Sequence, residues 1–298
     1  MKKIVVIGSS NTDMVIKSDK LPNPGETILG GEFLLNPGGK GANQAVTAAR
    51  LGGKVTFIAK IGSDTFGKNS ISLYSSEGIN TEFIFSDPEK PSGVALINVN
   101  ECGENCIVVA PGANGFLSIE DIEKAKCEIE SADILLMQLE IPLSVVEYSA
   151  KLAYDKGIKV ILNPAPASEL PNSLLKCLYI ITPNKNEAEA LSGIKITDID
   201  SAKKAAAAIR EKGVDTVIIT MGELGAIICG DELQQIPAVS VKTVDTTAAG
   251  DVFNGALSVA LAEDKSIVDA VIFACKCAAL SVTKLGAQSS IPYRDNIV

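Results

Sequence analysis

The chain has 298 residues, 46% hydrophobic, 21% charged and 4% aromatic, with a formal net charge of -9. That length is ample for a sizeable core, as one large α/β domain or two small ones. The acidic balance argues against nucleic acid or a membrane surface as partner, since both are polyanions. An anionic substrate must then be held by local donors and a metal. There is no histidine, which excludes imidazole catalysis and imidazole metal ligands and leaves carboxylates, Lys, Tyr or Cys to move protons. The seven cysteines (Cys102, Cys106, Cys127, Cys177, Cys229, Cys275 and Cys277) are odd in number and include no C-x-x-C pair. They read as reduced thiols, not as a disulfide framework or a zinc site.

The opening Lys2-Lys3-Ile4-Val5-Val6-Ile7-Gly8 has an apolar run too short for a signal peptide and predicts a first strand over 3–8. Residues 12–35 follow as an apolar stretch, a Pro/Gly turn region, then Glu32-Phe33-Leu34-Leu35. A helix is expected over 41–51, a strand over 55–61 and a helix over 65–77. Residues 92–110 read as a hairpin, Val94-Ala95-Leu96-Ile97-Asn98-Val99 and Ile107-Val108-Val109, around Glu101-Cys102-Gly103-Glu104-Asn105. Beyond it come a helix over 118–130, a strand over 133–139 and a helix over 143–156. That last helix follows Pro142, carries Val146, Ala150 and Ala153 at helical spacing, and stops at Gly157, a suitable left-handed cap. Strands over 159–162, 179–182 and 216–220 alternate with helices over 185–191, 199–212, 251–262 and 266–284.

Repeated β-then-α order predicts an α/β fold with a mostly parallel sheet covered by helices on both faces. Strands buried on both sides read as continuous apolar runs, as Ile134-Leu135-Leu136-Met137 does. The pieces at about 12–35 and 92–110 lack covering helices. They are expected to form a small β-sheet inserted into a single domain spanning 1–298, serving as a lid, a dimer surface or both. No run of about eighteen apolar residues is present, so no membrane span is expected, and the expected location is the cytoplasm.

In open parallel sheets, ligands bind outside the carboxyl ends of the strands. Asn11 and Asp13 follow the first strand, Glu140 follows 133–139, Asn184 follows 179–182 and Gly222 follows 216–220. Each alone is weak evidence, since strand-end polar residues are often simple turn formers; their shared rim is more informative. The strongest segment is Asp245-Thr246-Thr247-Ala248-Ala249-Gly250-Asp251, running into Val252-Phe253-Asn254-Gly255-Ala256-Leu257-Ser258. Small residues entering a helix let a ligand approach free N–H groups, and the helix dipole favours an anion there. Phosphoryl transfer needs such donors for the charge on the moving group, and Asp251 beside them can accept a proton from the attacking hydroxyl. A second segment, Asn36-Pro37-Gly38-Gly39-Lys40-Gly41-Ala42-Asn43-Gln44-Ala45, is a flexible turn entering a helix. It can bring backbone amides, Lys40 and Asn43 against a polar ligand. Gly222-Glu223-Leu224-Gly225 suits close approach of a nucleotide. By contrast, Gly62-Ser63-Asp64-Thr65-Phe66-Gly67-Lys68-Asn69 nearly spells a P-loop but has Asn69 where that motif needs a hydroxyl for magnesium.

Together these residues resemble the phosphofructokinase-B-type family of sugar and nucleoside kinases, in its ribose-phosphorylating branch, over essentially the full chain. The segments 38–45 and 245–258 look like its two signatures, and Asn184-Lys185-Asn186-Glu187 looks like its N-x-x-E element. The resemblance implies ATP-dependent phosphorylation of D-ribose at the 5-hydroxyl, with deoxyribose or fructose as the alternative acceptor. It implies sugar contacts from Asn11, Asp13, Gly39, Lys40, Asn43, Glu140 and Asp251. It also implies an ATP site lined by Asn184, Thr220, Gly222, Gly225, Gly250 and Cys275. Asp251 would be the base and the amides of Ala248, Ala249, Gly250 and Asp251 the anion hole. Mg²⁺ would be held indirectly through Glu187. A potassium-type cation would sit at Asp245, Thr247, Ser281, Lys284, Gly286 and Ser290. The lid strands would pair two subunits into a homodimer. Scarce aromatic surface favours a small polyol over a nucleoside, and an intact base and anion hole favour a kinase over a non-catalytic sensor on the same fold.

Overall fold

Side chains of a strand buried on both faces alternate between two helical layers, and the first strand of the computed structural model does this. Val5 and Ile7 join one apolar cluster, Ile4 and Val6 the other. The structure describes residues 2–102 and 104–297. Its strands in chain order are β1 (Lys3–Ile7), β2 (Asn11–Lys17), β3 (Glu32–Gly38), β4 (Lys54–Gly62), β5 (Ile84–Asp87), β6 (Gly93–Val99), β7 (Asn105–Ala110), β8 (Ile134–Met137), β9 (Lys159–Leu162), β10 (Ile180–Ile181), β11 (Thr216–Thr220), β12 (Ala226–Cys229) and β13 (Leu233–Ile236). The helices are α1 (Lys40–Arg50), α2 (Thr65–Ser76), α3 (Ile119–Lys124), α4 (Lys126–Glu130), α5 (Leu143–Asp155), α6 (Asn172–Leu175), α7 (Lys185–Ser192), α8 (Ile199–Arg210), α9 (Ala249–Ala262) and α10 (Ile267–Ser281).

Among the described residues, nine strands form one sheet in the order β13-β12-β11-β10-β9-β8-β1-β4-β5. It is parallel from β11 to β5, with β12 and β13 added antiparallel at one edge. Helices α3 to α8 cover the face that carries Val5, Leu135 and Val160. Helices α1, α2, α9 and α10 cover the face of Ile4, Leu136 and Ile161. The second sheet runs β3-β2-β6-β7 and uses the two segments the sequence leaves without helices. The predicted hairpin is present, pairing Val94 with Ala110 and Val99 with Asn105; Gly103 of its turn lies outside the described residues.

Three expectations shift. The helix expected over 118–130 is two short helices, because the Ala125 amide bonds back only three residues, to the Ile122 carbonyl. The helix expected from 251 starts two residues earlier, at Ala249, so Gly250 and Asp251 belong to its first turn. The four-residue elements β5, α6, β12 and β13 were not predicted, being too short to show a period.

Helices α1 and α9 approach closely because small residues line their contact. A Cβ on Gly255 would sit 2.6 Å from the Thr47 Cβ and 2.8 Å from the Gln44 carbonyl oxygen. That approach carries Asn43 and Gln44 of α1 onto the first turn of α9.

Candidate active site

The start of α9 is built unlike an ordinary helix start. Its N-cap, Ala248, has no side chain to cap with and sits in the left-handed region at φ 61°. The Ala249 amide turns back to the Thr246 carbonyl at 3.2 Å, so the donors left at this end belong to Ala248, Gly250 and Asp251. Such a terminus favours an anion.

Two adjacent cavities meet there. The larger, about 620 Å³, is lined by Thr220, Gly222, Gly225, Gly250, Phe253 and Cys275 among others. The smaller, about 220 Å³, is lined by Lys40, Asn184, Glu187, Ala248 and Asp251 among others. Thr220, Thr246, Ala249 and Gly250 belong to both walls. The open helix end therefore divides an apolar nucleotide-sized space from a polar one. Asn184 faces the smaller space, not the larger.

Asp251 is buried, its Oδ2 accepting from Asn43 Nδ2 at 2.9 Å and its Oδ1 from Gln44 Nε2 at 3.0 Å. Burial lifts its pKa above the usual carboxylate value; Lys40, Asn43 and Gln44 oppose the lift without cancelling it. A carboxyl in that state accepts a proton more readily than an exposed one. Asp13 is lifted to about 6 by burial and then by Glu140 and Asp251, with Lys40 opposing. Burial works against the Lys40 ammonium, yet Asp251, Glu140, Glu187 and Asp13 hold its pKa above ordinary. These five groups are thus one electrostatic cluster. Its lone cation sits among carboxylates that sugar hydroxyls can donate to.

The supporting positions follow from strand ends. Glu140 Oε2 accepts from the Lys40 amide at 3.0 Å and from Ser9 Oγ, which ties the start of α1 to the tip of β8. Gly39, at φ 91°, makes the turn into α1. Asn11 is buried, with Oδ1 accepting from Asn114 Nδ2 at 2.8 Å. Asn184 caps α7 in a reciprocal box: Glu187 N donates to Asn184 Oδ1, and Asn184 N and Nδ2 donate to the Glu187 carboxylate. Burial raises the Glu187 pKa. Cys275 lines the larger cavity, its thiol pushed up to about 11 by burial, which leaves it a neutral apolar contact.

Of the predicted cation residues, Asp245, Thr247 and Gly286 are tied together just ahead of the same helix end. Asp245 Oδ1 accepts from the Thr247 amide and hydroxyl, and Oδ2 accepts from the Gly286 amide at 2.8 Å. The Val244 and Asp245 amides both donate to the Val282 carbonyl, and the Lys284 amide to the Ser281 carbonyl. Burial works against the Asp245 charge, but the bonds from Thr247 and Gly286 hold its pKa below the usual range. Ser281 and Ser290 are buried, their hydroxyls donating to Ala278 and Ala287 carbonyls.

A profile of the pfkB family of carbohydrate kinases matches residues 1–294. The chain belongs to the pfkB family of carbohydrate kinases. Among pfkB relatives, it is 48% identical to a ribokinase of Haemophilus influenzae, over 98% of this chain and 96% of that protein. It is 40% identical to a deoxyribokinase of Salmonella typhi, over 97% and 95%. Its fold matches an Arabidopsis thaliana ribokinase complexed with ribose and ATP, with a TM-score of 0.91 at 32% identity, over 99% and 97% of the two chains. As a pfkB kinase it carries the open helix end and Asp251 where the two cavities meet. Four buried polar residues of this site were not singled out from the sequence: Gln138, Asn163, Thr182 and Asn254. The first three each immediately follow a strand of the main sheet; only Asn163, after the strand expected over 159–162, stood in that position from the sequence.

Proposed function

We propose that the protein transfers the γ-phosphoryl group of ATP to the 5-hydroxyl of D-ribose, giving ribose 5-phosphate and ADP. The observation that carries this reading is Asp251 in the smaller cavity, next to Gly250 of the wall shared with the larger one, at the uncapped start of α9. ATP lies in the larger cavity with its phosphates toward Gly250, and the sugar lies among Asn11, Asp13, Gly39, Lys40, Asn43 and Glu140. Asp251 removes the proton as the sugar oxygen forms its bond to phosphorus, and the bond to the β-phosphate oxygen breaks. The amides of Gly250 and Asp251 receive the charge on the transferring group.

Among the described residues there is no cluster of three acidic, cysteine or histidine side chains that would hold a metal alone. Glu187 is engaged with Asn184 through both oxygens. These features suit a Mg²⁺ that arrives on ATP and reaches Glu187 only through water. Bound there, it would neutralise phosphate charge. An anionic Asp245 tied to the 281–290 segment suits a potassium-type cation that orders the anion hole from behind without touching substrate.

The small sheet acts as a lid and pairs two subunits. Paired residues share a face, so Asp13, Asn36 and Ala95 lie on one side. Ile16, Phe33, Leu35, Leu96 and Val108 lie on the other and are exposed. A contiguous apolar face of this kind marks an interface, and a second copy covers it in a homodimer. The seven free thiols and the absence, among the described residues, of a helix able to cross a membrane suit a reducing cytoplasm.

The relative named deoxyribokinase supports a second acceptor, differing by one hydroxyl. A panel of ribose, deoxyribose and fructose in a coupled ADP assay, with and without potassium, tests the reading. The highest kcat/KM is expected for ribose with potassium present; preference for another sugar overturns the substrate assignment.

A further inference from the structure

Beneath Asp251 lies a tier of buried polar side chains, of which Asn163 and Thr182 reach the wall of the smaller cavity while Gln44 and Gln138 lie behind it. Gln138 follows β8, Asn163 follows β9 and Thr182 follows β10. In each strand the parity continues that of Leu136, Ile161 and Ile180, which pack toward α1 and α9, so the three side chains form a row facing those helices. Gln138 and Gln44 are completely buried, and neither lines either cavity.

The bonds in this tier have a direction. Gln138 Nε2 donates to Gln44 Oε1 at 2.5 Å, and Gln44 Nε2 donates to Asn163 Oδ1 at 3.2 Å and to Asp251 Oδ1 at 3.0 Å. A primary amide has an acceptor at one corner and donors at the other. With its oxygen held by Gln138, Gln44 must turn its donors toward Asp251; the reverse setting would place a carbonyl oxygen against a carboxylate. A Cβ on Gly8 would lie 2.0 Å from Gln138 Oε1, so the bare glycine leaves Gln138 room for this pose.

We propose that Gln44 is a positioning residue for phosphoryl transfer, its amide aligning the Asp251 carboxylate on the acceptor hydroxyl, and that Gln138 sets the direction of that amide from one residue further back. This rests on the reading of Asp251 as the base. Other charges facing Asp251 are Lys40 from α1, Glu140 from the tip of β8, Asp13 from β2 and Glu187 from α7. Gln44 differs from Lys40 and Glu187 in lining neither cavity, and from Asp13 and Glu140 in not being among the proposed sugar contacts. Removing it therefore changes the carboxylate without removing a substrate contact.

The test uses the full-length protein with ribose and ATP. Gln44→Met keeps the side-chain size and deletes the donor. It is expected to lower kcat about 10–100-fold, the scale of a small misalignment of a reacting group, with both KM values within about threefold. A carboxylate that loses a donor is protonated more easily, so the acid limb of the kcat–pH profile should move to higher pH. Gln138→Glu never touches Asp251; burial raises the pKa of the new carboxyl, so the variant is assayed in alkali, where its ionised side chain only accepts. It would draw the Gln44 donors to itself, turn the carbonyl on Asp251 and reproduce the Gln44→Met loss. Gln138→Met leaves Gln44 its bond to Asp251 and should cost under about tenfold. A folded Gln44→Met with wild-type kcat and an unmoved acid limb, beside an inactive Asp251→Asn, overturns this proposal alone. If Gln44→Met does not fold, an unchanged kcat of Gln138→Glu in alkali overturns it equally. An Asp251→Asn enzyme with wild-type turnover removes the base, and the positioning role falls with it.

Discussion

Helices α2 and α9 both begin after loops rich in small residues, yet one beginning is shut and the other open. At α2, Asp64 accepts from the Gly67 amide at 2.9 Å, from the Ser92 amide at 2.8 Å and from the Ser92 hydroxyl at 2.7 Å. Burial works against that carboxylate, but these bonds hold its pKa below the usual value. At α9 the cap is an alanine, and Asp251 in the first turn is lifted above the usual value by burial. The near-P-loop at 62–69 is thus a corner sealed by its own anion. A helix end becomes a phosphate site only where the chain declines to fill it, and the opposite pKa directions of the two aspartates report which end is filled.

The sharpest way to break this contrast is at the base. Asp251→Asn should lower kcat by about 10²–10⁴-fold with ATP binding retained, equivalent to about 3–5 kcal/mol of transition-state stabilisation. Steady-state kinetics beside a nucleotide-binding measurement checks it. Near-normal turnover in a folded variant would end the account of Asp251. Next in size is closing the open end artificially. Ala248→Asp fits the left-handed backbone, which Asp tolerates, and sets a carboxylate beside the free amides. Its charge suits the helix dipole but repels phosphate. The expected result is a loss of about 10²-fold in kcat/KM for ATP, roughly 2–3 kcal/mol from like charges near the surface, with Tm unchanged or higher. Undiminished ATP use would show that phosphate does not approach this end.

Much of this was legible in the residues. The alternation of short Val/Ile runs with helical spacing predicted six of the seven parallel strands among the described residues, all but β5, and the segment 245–258 announced its helix. Ala248, however, carries no sign in the sequence that it will take φ 61° and start α9 two residues early. That choice comes from tertiary packing, with the Val244 and Asp245 amides anchored to Val282 far along the chain. Gln138, Asn163 and Thr182 were hidden differently. Each is an ordinary polar residue after a strand, and only the sheet order brings them side by side under Asp251. Strand β5 and the β12–β13 edge were too short to carry a period of their own.

The crowding of carboxylates at the open end gives a smaller, pH-dependent effect. Asp13, at about 6 in the folded protein, binds its proton more tightly there than in the unfolded chain. Its contribution to stability is therefore fullest in acid and is lost as pH rises through about 6. Asp13→Asn should show a higher Tm than the parent at pH 7.5, with the gap closing at pH 4. The same variant should raise the KM for sugar about tenfold, as expected for loss of one charged hydrogen-bond partner at about 1.4 kcal/mol. Thermal scans at the two pH values check the sign; a lower Tm at pH 7.5 would mean that the carboxylate is stabilised by partners stronger than its neighbours' repulsion.

The smallest effect on activity belongs to the closed end, and it is the control that gives the contrast its meaning. Asp64→Ala removes the cap of α2 and the link to Ser92, which should cost about 1–2 kcal/mol and lower Tm by roughly 2–6 °C. Because the folded pKa of Asp64 is depressed, its stabilisation is present above the ordinary carboxylate value and fades as pH falls below it. The Tm deficit relative to the parent should therefore shrink in acid; the Asp13→Asn difference also closes there, but it is a gain where this one is a loss. Turnover should stay within about twofold, since an uncapped α2 still lies away from Asp251 and from both cavities. If removing Asp64 instead altered the KM for ATP, the 62–69 corner would be reaching the nucleotide after all. The difference between a sealed and an open helix end would then lie in something other than the cap.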